Sequence, residues 1–99
     1  MFQEEELLEA QASSHKKNFL FENALYTGGW LNGLPHGKGK LESPNGAYYE
    51  GHWRRGVKTG RGKIVDERGG VMEGEWRDGK ANGFVKVKQP SGHVFQGVV

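Results

Sequence analysis

From residue 26 onward, large apolar side chains alternate with glycine or charge in runs of five to seven residues. That period of two belongs to a half-buried strand, not a helix. One strand is predicted at 38–42, "KGKLE", and another at 47–53, "AYYEGHW". In the first, Leu41, Ile64 and Val87 share a face with Gly39, Gly62 and Val85 in successive copies. The opposite face carries Lys40, Lys63 and Lys86, flanked by Lys38, Arg61 and Phe84. In the second, residues 49, 51 and 53 read aromatic, glycine, tryptophan on one side. The other side holds Tyr48, Glu50 and His52, then Val71, Glu73 and Glu75. "SPNG", "DERG" and "QPSG" spell a tight turn, with Gly46, Gly69 and Gly92 at its φ > 0 position. "LNGLPHG" is expected to be a longer bend in which Gly33 and Gly37 relieve φ.

The copies keep a period of 23 residues without insertion. Tyr26, Tyr49, Met72 and Phe95 form one column, and Gly28, Gly51, Gly74 and Gly97 the next. Trp30, Trp53 and Trp76 follow, with Val99 fourth. A glycine inside a strand is normally a liability. It is tolerated where a ring lies across it, because a ring buries about 150–250 Å². The spacing therefore predicts a ladder in which absent side chains make room for indoles of the neighbouring unit. No unit buries its own apolar face, so stacked units share one core.

"YTGGWLNGLPHGKGKL" and "YEGHWRRGVKTGRGKI" resemble the MORN repeat, roughly Y-x-G-x-W-x-x-G-x-x-x-G-x-G, over residues 26–99. The resemblance implies an all-β fold: an elongated, single-layer meander of β-hairpins. Its units would be 26–48, 49–71, 72–94 and a partial 95–99. Met72 for tyrosine, Val85 for glycine and Val99 for tryptophan depart from the pattern, so the last unit is expected to be looser. The chain stops within a strand, which would leave an edge that a longer parent or another element covers.

Residues 1–18 form a separate N-terminal piece. "EEELLEAQASSHKK" has early Glu and late Lys, which suits a helix dipole. Its apolar stripe is thin, Leu7, Leu8 and Ala12, so a docked helix, a frayed helix and a disordered tail all fit. Residues 19–25, with Phe19, Phe21 and Leu25, read as a cap strand on the first unit.

Composition narrows the class. Glycine numbers 17 of 99 residues, without the three-residue period of collagen. Cysteine is absent, so packing and not disulfides must hold the fold, and a reducing compartment fits. No apolar run reaches the roughly 20 residues of a membrane span, and the acidic start is unlike a signal peptide. A cytoplasmic protein is expected, with cytoskeletal or membrane association open. Net charge is −3 over residues 1–23 and +5 over residues 24–99.

No catalytic, metal or cofactor pattern stands out. His15, His36, His52 and His93 lack ligand spacing and read as exposed turn or strand residues. "HGKGK" is not a phosphate-binding loop, and Glu50 and Glu73 are copies of one position. Neither a small-molecule substrate nor nucleic acid is indicated. Two recognition readings remain. One is a protein-interaction or self-association scaffold whose concave face offers Tyr26, Trp30, Tyr49, Trp53 and Trp76. The same rings could instead be consumed in the ladder. The other is an acidic membrane or phosphoinositide surface, met by Lys38, Lys40, Arg54, Arg55, Arg61, Lys63 and Lys86. Against it, Glu50 and Glu73 sit where they could neutralise the lysines.

Overall fold

A computed structural model describes residues 4–99. A short helix, α1 (Glu4–Gln11), precedes eight strands: β1 (Ser14–Phe21), β2 (Ala24–Leu31), β3 (Leu34–Glu42), β4 (Tyr48–Arg54), β5 (Val57–Val65), β6 (Val71–Arg77), β7 (Lys80–Lys88) and β8 (Val94–Val98). Each strand pairs antiparallel with the next, in one open sheet ordered β1 to β8. The extents are 40 × 35 × 16 Å. A thickness of 16 Å leaves room for one sheet and its side chains, since a second sheet would add about 10 Å.

Two kinds of turn alternate along the meander. At one margin Asn32-Gly33, Arg55-Gly56 and Asp78-Gly79 all have φ > 0. This is the two-residue hairpin turn whose twist matches the strands. The longer bend expected over "LNGLPHG" is therefore wrong, and β3 starts at Leu34, four residues early. Gly37, with φ 95°, lies inside the strand at a bulge. There Gly28 pairs with Gly39 and Trp30 with Pro35, so residues 36–38 face Gly29 alone. At the other margin the turn spellings fold as predicted. The Ser43 N–H donates to the Ala47 carbonyl (2.8 Å) and the Gly46 N–H to the Ser43 carbonyl (3.0 Å). The equivalent bonds recur at Asp66 and Gln89.

The aromatic core cluster lies on one side of the sheet, here face A. Register sets Gly28, Gly39, Gly51, Gly62 and Gly74 side by side across five strands. That row is a trough with no side chains in its floor. Tyr26 lies over Gly39 and Tyr49 over Gly62, where a methyl group would strike the phenol. The ring across the glycine is thus the tyrosine, and the expectation of an indole there is corrected. Each phenol Oη reaches along the trough, Tyr26 donating to the Gly29 carbonyl (2.7 Å) and Tyr49 to that of His52 (3.0 Å). The indoles stand edge-on between phenols. Centroid separations are 5.8 Å for Trp30–Tyr26, 5.6 Å for Tyr26–Trp53, 5.2 Å for Trp53–Tyr49 and 5.5 Å for Tyr49–Trp76. The last three pairs are near-perpendicular, the favoured geometry for ring quadrupoles. The Trp53 Nε1–H also donates to the Gly39 carbonyl (3.2 Å).

β1 closes the stack at the N-terminal end. Phe19 and Phe21 pack on Trp30 at 4.8 and 6.3 Å. The strand begins at Ser14, before the predicted cap over 19–25, and turns at Glu22-Asn23 into β2. Lys16 and Lys17, read above as the basic end of a helix, belong to this strand. The helix is docked: α1 packs mainly on β3 and reaches β4 and β5.

Candidate functional site

The five rings offered above as a docking surface are the core. Tyr26 is fully buried, and Tyr49, Trp53, Trp76 and Trp30 are at most 8% exposed. Burial holds the Tyr26 and Tyr49 phenols far above the usual tyrosine range, because no solvated place exists for the phenolate. Lys58 closes the outside of the stack, its Nζ 5.3 Å from the Tyr49 ring centre. No ring plane in this column is left free for a partner.

The opposite side, face B, carries the charged residues. Pairing lays Thr27, Lys40, Glu50, Lys63, Glu73, Lys86 and Gln96 in one row across the sheet. Each lysine of the column therefore has a carboxylate beside it, and Lys63 has one on each side. Lys63 Nζ stands 4.0 Å from Glu50. Lys40 Nζ also sits 4.3 Å from the centre of the Tyr48 ring, a cation–π contact. Arg61 faces Glu75, with Nε 3.8 Å from the carboxylate. Lys38 pairs across from His52. Arg54 is ion-paired with Glu4 of α1. Arg55 occupies a turn, and its N–H donates to His36 Nδ1 (3.0 Å). The seven basic residues do not form one cationic patch, because register sets glutamates beside Lys40, Arg61, Lys63 and Lys86, and Arg54 is paired with Glu4.

Between β4 and β7 face B is open. A groove of about 520 Å³ runs over Gly62 and Gly74, walled by Arg61, Lys63 and Lys86 against Glu50, Glu73 and Glu75. Phe84 ends it, 57% exposed. Charges of both signs along an open groove can hold a polypeptide through paired charges.

α1 covers the neighbouring part of face B. Glu5 accepts the Arg61 N–H. Glu9 lies 3.1 Å from His52 Nε2, and Glu5 3.4 Å from His52 Nδ1. The Gln11 side chain meets His36 Nε2 at 2.9 Å. His36 is buried, not the exposed residue the sequence suggested. Since His36 Nδ1 accepts from Arg55, Nε2 carries the hydrogen and Gln11 accepts it. Burial and then the Arg55 charge push the imidazole below its usual range. The contacts of His36, His52, Glu5, Leu8 and Glu9 were not foreseen. They join residues up to 56 positions apart, and α1 lies outside the repeat.

The MORN repeat pattern matches residues 26–48, 49–71 and 73–84. With more than half of its length matched, the chain belongs to the MORN repeat family, a non-catalytic repeat type associated with protein or membrane interaction. No curated protein matches the chain. Among the described residues, no helix is long and apolar enough to cross a membrane.

Proposed function

We propose that this chain is a non-catalytic scaffold that binds another protein along face B. The observation that carries the reading is the division of labour across one sheet. All three tryptophans and the two core tyrosines are consumed on face A, while face B keeps an open, mixed-charge groove ending in an exposed phenylalanine. Hot spots favour aromatic and arginine side chains set in a desolvated groove, and Phe84 and Arg61 stand ready for that role. The rings of face A then act as framework, holding the groove's strands in register. A second copy of the chain is a partner of the same kind, and light scattering over a concentration series separates it from a foreign protein. The absence of cysteine suits a reducing compartment such as the cytoplasm.

The test compares affinity capture by the intact chain with capture by an Arg61→Glu, Phe84→Ser variant. Partners retained by the first and lost by the second support the reading. An identical set captured by both contradicts it. Acidic lipid is the weaker alternative, because each lysine of the column already neighbours a carboxylate.

A further inference from the structure

We infer that face B carries a docking track for an acidic helix, and that α1 is its built-in occupant. The inference rests on reading the chain as a binding scaffold. Glu5, Leu8 and Glu9 recur at i, i+3 and i+4, one stripe of the helix, and Ala12, just past its last turn, continues it at i+7. The whole stripe meets the sheet. Leu8 is buried, whereas its neighbour Leu7 is 45% exposed.

The floor beneath the stripe is made of bulge glycines. Gly37 has φ 95° and Gly60 φ 62°. A Cβ at Gly37 would lie 3.2 Å from the Leu8 carbonyl oxygen, and one at Gly60 would lie 2.7 Å from the Glu5 carboxylate. The helix comes this close because nothing projects from the strands there. The walls supply the complementary chemistry: the Arg61 N–H to Glu5, His52 to Glu9 and Arg54 to Glu4. The repeat provides a third bulge glycine, Gly83, with φ 83° and no atom within 4 Å of its would-be Cβ. The track therefore extends beyond α1, past Gly83 to the exposed Phe84.

An eight-residue helix is too short to hold itself together in water. Its order comes from the track, and only Ala12 and Ser13 tie it to β1. A longer helix presenting E-x-x-L-E-x-x-A on one stripe would make the same contacts and add Gly83 and Phe84. It would displace α1. A site occupied nine-tenths of the time by its own segment weakens a competitor about tenfold, so α1 acts as a competitive guard on the surface.

The test uses the full chain and a fluorescently labelled synthetic peptide of residues 4–13, read by anisotropy. The variant Glu5→Ala, Leu8→Ser, Glu9→Ala frees the track without touching the ring stack, and near-UV circular dichroism checks that the stack is intact. A second variant, Glu5→Lys, Glu9→Lys, frees it by charge reversal alone. The peptide should bind both variants about tenfold or more tightly than it binds the unaltered chain. A peptide carrying Lys at both glutamate positions should lose binding. Equal binding to all three proteins, binding to none, or unimpaired binding of the Lys peptide overturns the track. Such a failure leaves the scaffold reading standing if capture still depends on Arg61 and Phe84.

Discussion

Val85 fills the trough on face A where the two preceding units place a tyrosine ring. Its side chain is 4% exposed, and its Cγ1 lies 2.9 Å from where Gly74 would carry a Cβ. The ring is missing because Met72 stands in the tyrosine column. Glycine under tyrosine and valine without tyrosine are two solutions to one packing problem. The third unit differs from the two before it in two residues that compensate each other at this point of the trough.

The compensation is measurable. Val85→Gly should cost about 2–4 kcal/mol, from a cavity and an added strand glycine. Adding Met72→Tyr rebuilds the arrangement of the first two units. The pair should recover about 1–2 kcal/mol relative to the sum of the single changes. Urea unfolding of the four chains completes the cycle, and strict additivity would show that the two positions do not share the trough.

Glycines that look alike in the sequence should respond differently to one methyl group. Gly62→Ala drives a Cβ into the Tyr49 ring, an overpacking worth about 1–3 kcal/mol. Gly97 occupies the column of Gly28, Gly51 and Gly74, but nothing lies within 4 Å of where its Cβ would stand. Its φ is not in the left-handed region, so Gly97→Ala should be neutral or stabilising by about 0.4–1 kcal/mol. Thermal melts decide this, and equal losses at both sites would contradict the trough.

Much of the fold was legible because the repeat is written in residues whose physics is local. A glycine with φ > 0 and a two-residue alternation identify turns and faces without knowledge of neighbours. The strands, faces and "SPNG"-type turns follow from that. The Asn32-Gly33 turn is hidden because Gly33 and Gly37 together spell a longer bend, whereas Gly37 serves a bulge within β3. The identity of the ring over the glycine was misjudged for a different reason. Tyrosine and tryptophan share a face, and their order across the strands depends on register, which a single strand's spelling does not contain. The site was least legible. Charge columns were visible, but their neutralisation depends on pairing, and α1 docks through contacts far apart in sequence.

His36 sets an acid limit. Its folded state prefers the neutral ring, with the pKa lowered from the ordinary 6.5. The unfolded chain therefore takes up the proton first as pH falls, so the stabilisation is present above about pH 6.5 and fades below it. His36→Gln keeps an acceptor for the Arg55 N–H without an ionising ring. That variant should flatten the stability profile between pH 7 and 5, as read by denaturation midpoints.

Tyr26 and Tyr49 set an alkaline limit by the opposite route. Burial raises both phenols, so the unfolded chain loses these protons first once pH passes about 10. Absorbance near 295 nm should show both ionising only as the protein unfolds. Smooth ionisation without loss of the near-UV signal would mean that the rings are solvated.

Membrane affinity should be low. With Lys40, Lys63 and Lys86 alternating with Glu50 and Glu73, three positive charges meet two negative ones and the row offers only a weak cationic field. Flotation with vesicles containing phosphatidylserine and phosphoinositide should leave the protein unbound at physiological salt. Glu50→Lys, Glu73→Lys should float, since polybasic attraction grows by about 1 kcal/mol per charge.

The phenol across the glycine is the contact on which the ladder depends, and proton NMR sees it directly. The Hα atoms of Gly39 and Gly62 lie beneath the Tyr26 and Tyr49 rings, so ring current should shift them well upfield of the uncovered Gly97. Finding all three at ordinary glycine positions would contradict the ladder and the surface built upon it.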